Sequence, residues 1–463
     1  MVGEISSQSL RQVEAEVVVV GGGLSGVSAS VSSSRAGAST ILVERCAFPG
    51  GTSTAGLMSS TTNFYVTGKG LVVAKGFAYE LVERLARIRK KGNPAVFQTV
   101  PQIPHDPEKL KVVLIDLLDE AGVTYLFHTA FSSCVRRRGM WTLVFHTRSG
   151  SVAIKARAVV DATGGASVVL SAGGRVLPAP GSASFEFRMA DVDLEKLVEY
   201  IASNPSQYDE YCDVESTVSD LLNNWEEFGI FHLPHGNGRK MKIVQEAVRQ
   251  GRYPRTFGIV SNMDAFGMYG LRESRTAIIN TGFITGDFLD PFFLSRAEAA
   301  ARRAAQIASD FLIREIPGFE ESFLVQTACE LGIRTTRRIR GLYELKRSEI
   351  ESACRFPDSI AVGCERRIGG PRFEDGFDVP FRILLPKGVE GIVVASGKTA
   401  STDPAGLLRA QVMCMQLGQA AGVAAAISAR EGITPSRLDP VEIQRELSRQ
   451  GAFIRDPDGA VTP

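Results

Sequence analysis

The sequence predicts an α/β fold in which a parallel-sheet domain is interrupted by an inserted α+β segment. Three observations predict it. An apolar run, Val17 to Val20, enters a glycine turn, and after a helix-length spacer a second run, Ile41 to Val43, ends on Glu44. Two later apolar runs, Ala158 to Thr163 and Gly391 to Ser396, also lead into glycine. Between these two the pattern is mixed, so the expected division is 1–180, 181–385 and 386–463.

The first stretch reads as one βαβ unit. Gly21 permits the tight turn, Gly23 lets a diphosphate approach the backbone, and Gly26 lets helix and strand pack closely. The diphosphate then faces the free N–H groups and positive end of a helix. A carboxylate at Glu44 can accept both hydroxyls of an adenosine ribose and would repel a 2′-phosphate, which argues against NADP. The predicted unit is Rossmann-like. Pro49-Gly50-Gly51 follows as a sharp turn leading into a hydroxyl-rich stretch.

Further on, 75–92 and 107–121 read as amphipathic helices. Val123 to Phe131 reads as one strand, Trp141 to Arg148 and Val152 to Arg157 as a hairpin, and 175–184 as a linker. SFEFRMADV has strand character, and Asp193 opens a helix. The stretch 223–260 reads as irregular. A long helix is expected from Leu294 to Ile316, with Ser295 as N-cap and Glu298 completing a capping box. Phe323 to Leu331 reads as another helix, FRILLP (381–386) as a strand, and Leu408 to Arg430 as a buried helix, too short and too rich in glutamine for a membrane span.

Composition narrows the function classes. The chain has 463 residues, more than one compact core accommodates. Lys+Arg of 52 against Asp+Glu of 51 gives no net field for nucleic acid or an anionic membrane. Seven cysteines are scattered, with no C-x-x-C, which argues against a disulfide framework, an iron–sulfur cluster or a dithiol centre. The polar N-terminus lacks the apolar core of a signal peptide, so a cytoplasmic setting is expected. His232 and His235 form H-x-x-H with no third ligand in evidence, so no metal site is expected.

Four stretches carry a family resemblance: VVVVGGGLSGVSA…ILVER, GGTSTAG, VVDATGG, and the closing ILLPKGVEGIVVASGKTASTDPAGLLRAQVMCMQLGQAAGVAAA. FEFRMADVDLEKLVEYI and LGIRTTRRIRGLYEL add to it. The chain resembles the FAD-dependent oxidoreductases related to glutathione-reductase-type and fumarate-reductase-type flavoproteins. The resemblance implies a discontinuous Rossmann-like FAD-binding domain with an inserted α+β substrate domain. It implies that Gly21, Gly23, Leu24, Ser25 and Gly26 hold the diphosphate, with Glu44 and Arg45 at the adenosine ribose and Phe131 at the adenine edge. Gly50, Gly51 and Thr52 would pass the diphosphate and ribityl chain, and Thr163 and Gly164 match the second glycine turn. Gly397 and Lys398 match the closing motif near the ribityl chain. The amides of Ala410, Gln411 and Val412 would open the last helix under the flavin pyrimidine. Two departures stand out: Gly165 where an acid is common, and Lys398 where arginine is usual.

Flavin carries the electrons, so the protein supplies position, charge and a proton carrier. Arg337, Arg338 and Arg409 are the expected catalytic cations, holding a carboxylate or enolate-like oxygen, or else pairing with Glu330 or Glu344. Tyr269, Tyr343 and Arg275 are candidates to line a pocket for a small organic substrate. No second glycine-rich nucleotide motif is present, so oxygen or an external carrier is the expected electron partner. The competing readings are a flavin monooxygenase or halogenase, disfavoured by Lys398 where an acid is usual, and a non-catalytic flavin-binding redox sensor.

Overall fold

The computed structural model describes residues 11–62, 72–88, 102–207, 218–233, 241–364 and 376–455. The chain opens with strand β1 (Arg11–Val20), helix α1 (Leu24–Arg35) and strand β2 (Thr40–Val43). Val17, Val18 and Val19 are wholly buried, because a central parallel strand is covered on both faces and therefore reads as an unbroken apolar run. Helices α2 (Phe77–Ile88) and α3 (Pro107–Glu120) precede β3 (Thr124–Leu126), β4 (Ala130–Arg137), β5 (Met140–Thr147) and β6 (Gly150–Asp161). The order across the sheet is β3-β2-β1-β6-β5-β4, with β1 parallel to both β2 and β6.

Two sequence expectations are corrected here. The single strand from Val123 to Phe131 is two strands, separated where His128 takes a positive φ of 52°. The two runs from 152 to 163 are one strand, because β6 serves β1 along one edge and, along the other, first β5 and then the strand Ile392–Val394.

A second sheet begins with β7 (Ser182–Ala190), inside the expected linker. After α4 (Leu194–Ser203) comes α5 (Val218–Phe228), which runs into the stretch read as irregular, and that stretch also holds β8 (Ile230–Leu233) and α6 (Lys242–Arg249). Then follow β9 (Gly267–Leu271), β10 (Thr276–Thr285), α7 (Pro291–Glu315), β11 (Phe323–Thr327) and β12 (Gly332–Ile333). The strand order is β8-β9-β10-β7-β11, with β12 also on β7. One face of this sheet packs its Phe185 and Phe187 into a second core with Trp225, Phe311 and the alanine stripe of α7 (Ala297, Ala301, Ala304, Ala305, Ala308).

Helix α7 is capped by Asp290, whose Oδ1 accepts the Phe292 N–H at 3.0 Å, with Pro291 in the first turn. Ser295 lies inside the helix and donates back to the Pro291 carbonyl. The expected helix from Phe323 is β11, an edge strand whose Phe323 and Val325 face solvent.

The chain then rejoins the first core earlier than the expected 386. Ile339, Leu345, Ile350, Val362, Phe377 and Ile383 all belong to that core. FRILLP forms a 3₁₀ turn, Phe381–Leu384, rather than a strand. Strand β13 (Ile392–Val394) adds in parallel to β6. Helix α8 (Gln411–Glu431) and α9 (Pro440–Arg449) complete the fold. Among the described residues α8 is the one helix long and apolar enough to cross a membrane, and its apolar window is fully buried against the rest of the chain. It crosses α1 at very short range: a Cβ on Gly418 would lie 2.3 Å from the Ser25 carbonyl, and one on Gly422 would lie 2.1 Å from that of Ala29.

Candidate functional site

The carboxyl ends of β1, β2 and β6 open into a cavity of about 1100 Å³, where an open α/β sheet binds its ligand. The cavity runs from Glu44, Thr129 and Phe131 at one end to Lys398, Gln411 and Cys414 at the other. Helix α7 closes one side through Leu294, Ser295, Glu298 and Arg302.

Its floor is bare backbone. Gly21 has a φ of 104°, and a Cβ there would sit 2.5 Å from the Ala162 carbonyl oxygen. A Cβ on Gly26 would lie 1.8 Å from the Gly21 carbonyl, so this glycine fits helix to strand and does not line the cavity. At Gly23 a Cβ would meet nothing within 4 Å. Gly23 is also the N-cap of α1, and no side chain caps it. A second glycine segment lies alongside: Gly23 bridges Gly50, and the Gly50 N–H donates to the Gly22 carbonyl at 2.8 Å. Two glycine backbones and an uncapped helix end make a cradle for a diphosphate, supplying N–H donors with no side chain in the way.

At one end, Glu44 is buried and already engaged. Its Oε2 accepts the Gly22 N–H at 2.5 Å and its Oε1 the Cys46 N–H at 2.8 Å. A carboxylate has about four acceptor sites, so capacity remains for ribose hydroxyls. Arg45 reaches across to pair with Glu330. Burial and Glu44 push the Cys46 thiol up to about 12, which leaves it a protonated structural group. Phe131 stands on β4, edge-on to Phe145.

At the other end, Lys398 Nζ donates to the Ile333 carbonyl at 2.9 Å and lies 3.5 Å from Thr52 Oγ1. Burial lowers the lysine pKa, Arg409 adds to that, and Cys414 and Glu330 oppose it. Gln411 begins α8, Nε2 donating to the Met58 carbonyl at 2.9 Å, while its buried Oε1 has no partner. No side chain caps this helix either. One end of the cavity thus holds two cations and a helix N-terminus, an environment that favours negative charge.

Residues 16–447 match the family model for the FAD dependent oxidoreductases. The chain belongs to that family. FAD is its cofactor, and the backbone cradle, the acid at the end of β2 and the orphaned Gln411 Oε1 fit that group. No functionally curated protein matches the chain. Among solved structures, it is similar to a myxobacterial chondrochloren halogenase, with 11% identity over 95% of this chain and 79% of that one and a TM-score of 0.47. A geranylgeranyl bacteriochlorophyll reductase-like protein from Thermoplasma acidophilum gives 11% identity over 95% and 83%, with a TM-score of 0.44. A p-nitrophenol 4-monooxygenase from Pseudomonas putida gives 12% over 95% and 85%, with 0.41.

In this FAD-dependent oxidoreductase the cavity wall brings together Gly21, Gly23, Leu24, Ser25, Glu44, Arg45, Gly50, Gly51, Thr52, Phe131, Thr163, Gly164, Lys398, Arg409 and Gln411. Four cofactor candidates stand behind the wall. Gly26 packs as described, and a Cβ on Gly397 would strike the Leu408 carbonyl at 1.7 Å. Ala410 and Val412 are buried beside Gln411.

Two of the three arginines proposed for catalysis are not in the wall. Arg337 lies behind the second glycine turn, 3.5 Å from the Gly165 carbonyl, and Arg338 pairs with Glu344. Both sit on a short ladder, Arg337–Ile339 against Val176–Pro178, and neither is among the residues that line the cavity. Tyr343 contacts Glu349, and Arg275 pairs with Asp191 on the surface. His235 lies outside the described residues.

Two features escape the sequence reading. Asp161, wholly buried at the end of β6, shapes the second glycine turn. Its Oδ1 accepts from Thr163 N and Oγ1 (3.1 and 2.7 Å), its Oδ2 from Val168 N and Val169 N (2.9 and 3.0 Å). The second is a buried polar group on the cavity-side face of the second sheet. Glu186 on β7 accepts from Tyr269 Oη at 2.7 Å and from Asn280 Nδ2 at 2.9 Å. His232 on β8 is buried and stacks on Tyr269.

Proposed function

We propose that the protein moves a hydride between FAD and a small organic substrate at the Gln411 end of the cavity. The observation that carries this reading is the pairing of Lys398 and Arg409 with the uncapped start of α8. FAD, when bound, supplies two-electron chemistry by accepting or giving a hydride at N5. Around it, Gly21, Gly23, Gly50 and Gly51 would hold the diphosphate, and Glu44 the ribose. Lys398, Arg409 and the α8 amides favour the negative charge that two-electron reduction brings, and Gln411 Oε1 offers an acceptor to a ring N–H.

Anaerobic mixing tests the reading. A matching small reductant should bleach the flavin absorbance, or an activated double bond should restore it after chemical reduction. Lys398→Met should slow either step while retaining FAD. Product formed only with oxygen and carrying an oxygen or halogen atom would overturn the reading in favour of a monooxygenase or halogenase.

A further inference from the structure

Glu186 has no part in the reading above, yet its surroundings are specific. It is 2% exposed, and on the same sheet face Tyr269, Ile278 and Ala328 pack against Leu57 of the first lobe. Tyr269 Oη also lies 3.9 Å from Met58 Sδ, and the Met58 carbonyl is the group that holds Gln411. Beside Glu186 is a void of about 10 Å³, close to the least space that holds one water. Four residues of its wall, Glu298, Arg302, Glu330 and Leu331, also line the large cavity. One layer of side chains therefore separates Glu186 from that cavity.

The hydrogen bonds around Glu186 serve two protonation states. With the carboxylate ionised, Tyr269 Oη and Asn280 Nδ2 each donate to one oxygen. Asn280 Oδ1 is buried with no partner. Turning that amide over would offer Oδ1 to a protonated Glu186, so a carboxylic acid also finds an acceptor. The charged groups facing it are Arg334 beyond β12, Glu298 and Arg302 on α7, and Glu330, with Arg188 two residues along β7 and His232 behind Tyr269.

Where a substrate loses or gains two hydrogens, hydride transfer leaves one proton to be placed. A substrate oxidised to a neutral double bond gives a hydride to FAD and also sheds a proton; in reverse, a hydride and a proton both arrive. Building on the hydride reading, we propose that Glu186 stores this proton, resting as the carboxylic acid, giving the proton up toward the cavity through the adjacent void when one is needed there and regaining it when one is released. The direction agrees: burial pushes the Glu186 pKa well above the ordinary carboxylate range, against the pull of Tyr269 and Arg334. Tyr269 rises too, through burial and the adjacent carboxylate, and stays a phenol.

Infrared spectroscopy of the FAD-free protein in deuterated buffer tests the store directly. The expected result is a carboxylic-acid C=O band that persists at neutral pH, and that Glu186→Gln abolishes. Should that variant fail to fold, Tyr269→Phe removes one donor but keeps the acid, and should shift the band and raise the pH at which it disappears. In the FAD-loaded protein, Glu186→Gln should change the proton uptake on chemical reduction by up to one proton per two electrons. No such band at neutral pH, or a band that neither variant alters, overturns the store. Failure to take up FAD leaves the infrared result standing and overturns the hydride reading instead.

Discussion

Gly23 and Gly26 lie three residues apart in one turn, yet they should fail differently. In Gly23→Ala the backbone φ of −64° suits alanine, and the methyl would meet no protein atom within 4 Å. Alanine is a poorer N-cap than glycine, so the FAD-free protein should lose less than about 1 kcal/mol. The methyl occupies the space where the diphosphate approaches, and overpacking of that size costs about 1–3 kcal/mol, or roughly 5- to 150-fold in Kd. In Gly26→Ala the methyl lands 1.8 Å from the Gly21 carbonyl and 3.2 Å from Ala162 Cβ. Helix α1 would have to retreat, but α8 blocks it at Gly418 and Gly422. A cost of about 3 kcal/mol or more to the fold itself is expected. Thermal unfolding of the FAD-free proteins together with FAD titration reads both. Full-strength FAD binding by Gly23→Ala would refute the cradle. Equal destabilisation by the two variants would refute the open space at Gly23.

Asp161→Asn should destabilise the fold by about 2–4 kcal/mol, because one side-chain atom facing two donors becomes a donor itself; denaturant unfolding measures this. Arg338→Ala should leave FAD affinity unchanged and cost about 1 kcal/mol or less, since its partner Glu344 is partly exposed; loss of FAD in titration would return Arg338 to the cavity. Lys398→Met should lower the FAD midpoint potential by about 20 mV or more, taking the lost charge as about 1 kcal/mol; dye-coupled reduction reads it. Because the folded-state pKa of Lys398 is lowered from 10.5, the FAD-free wild type carries a penalty for that charge which fades as pH climbs through the folded pKa toward 10.5. Its stability relative to Lys398→Met should therefore rise over that window, and a flat difference would refute the buried-cation account.

The cradle was legible in the sequence for a local reason. The run Val17 to Val20, the glycines after it and the acid at Glu44 lie within a single supersecondary unit, so spacing alone sets their geometry. Near the ends of elements the local signal competes with context. Ser295 and Glu298 have the spacing of a capping box, but Asp290 followed by Pro291 is a stronger start one turn earlier, and it prevails. Phe323 to Thr327 alternates exposed with half-buried residues, as an edge strand does, and its pairing with β7 overrides any helical tendency.

The polar group on the second sheet was illegible for a different reason. In SFEFRMA the alternation shows a strand with two phenylalanines on one face and Glu186 on the other. It does not say what faces Glu186. Asn280 comes opposite it through the β7–β10 register, across 94 residues, and Tyr269 through β9, across 83. Each residue alone reads as an ordinary strand position; their convergence exists only once three strands pair. The same holds for Arg337 and Arg338, where local crowding of charge suggested a site but the fold gives them the Gly165 carbonyl and Glu344 as partners. The diphosphate cradle and the ribose acid are thus written in one contiguous segment, whereas the groups that would manage protons are assembled from distant strands, and it is the sheet register that brings them together one layer behind the cavity wall.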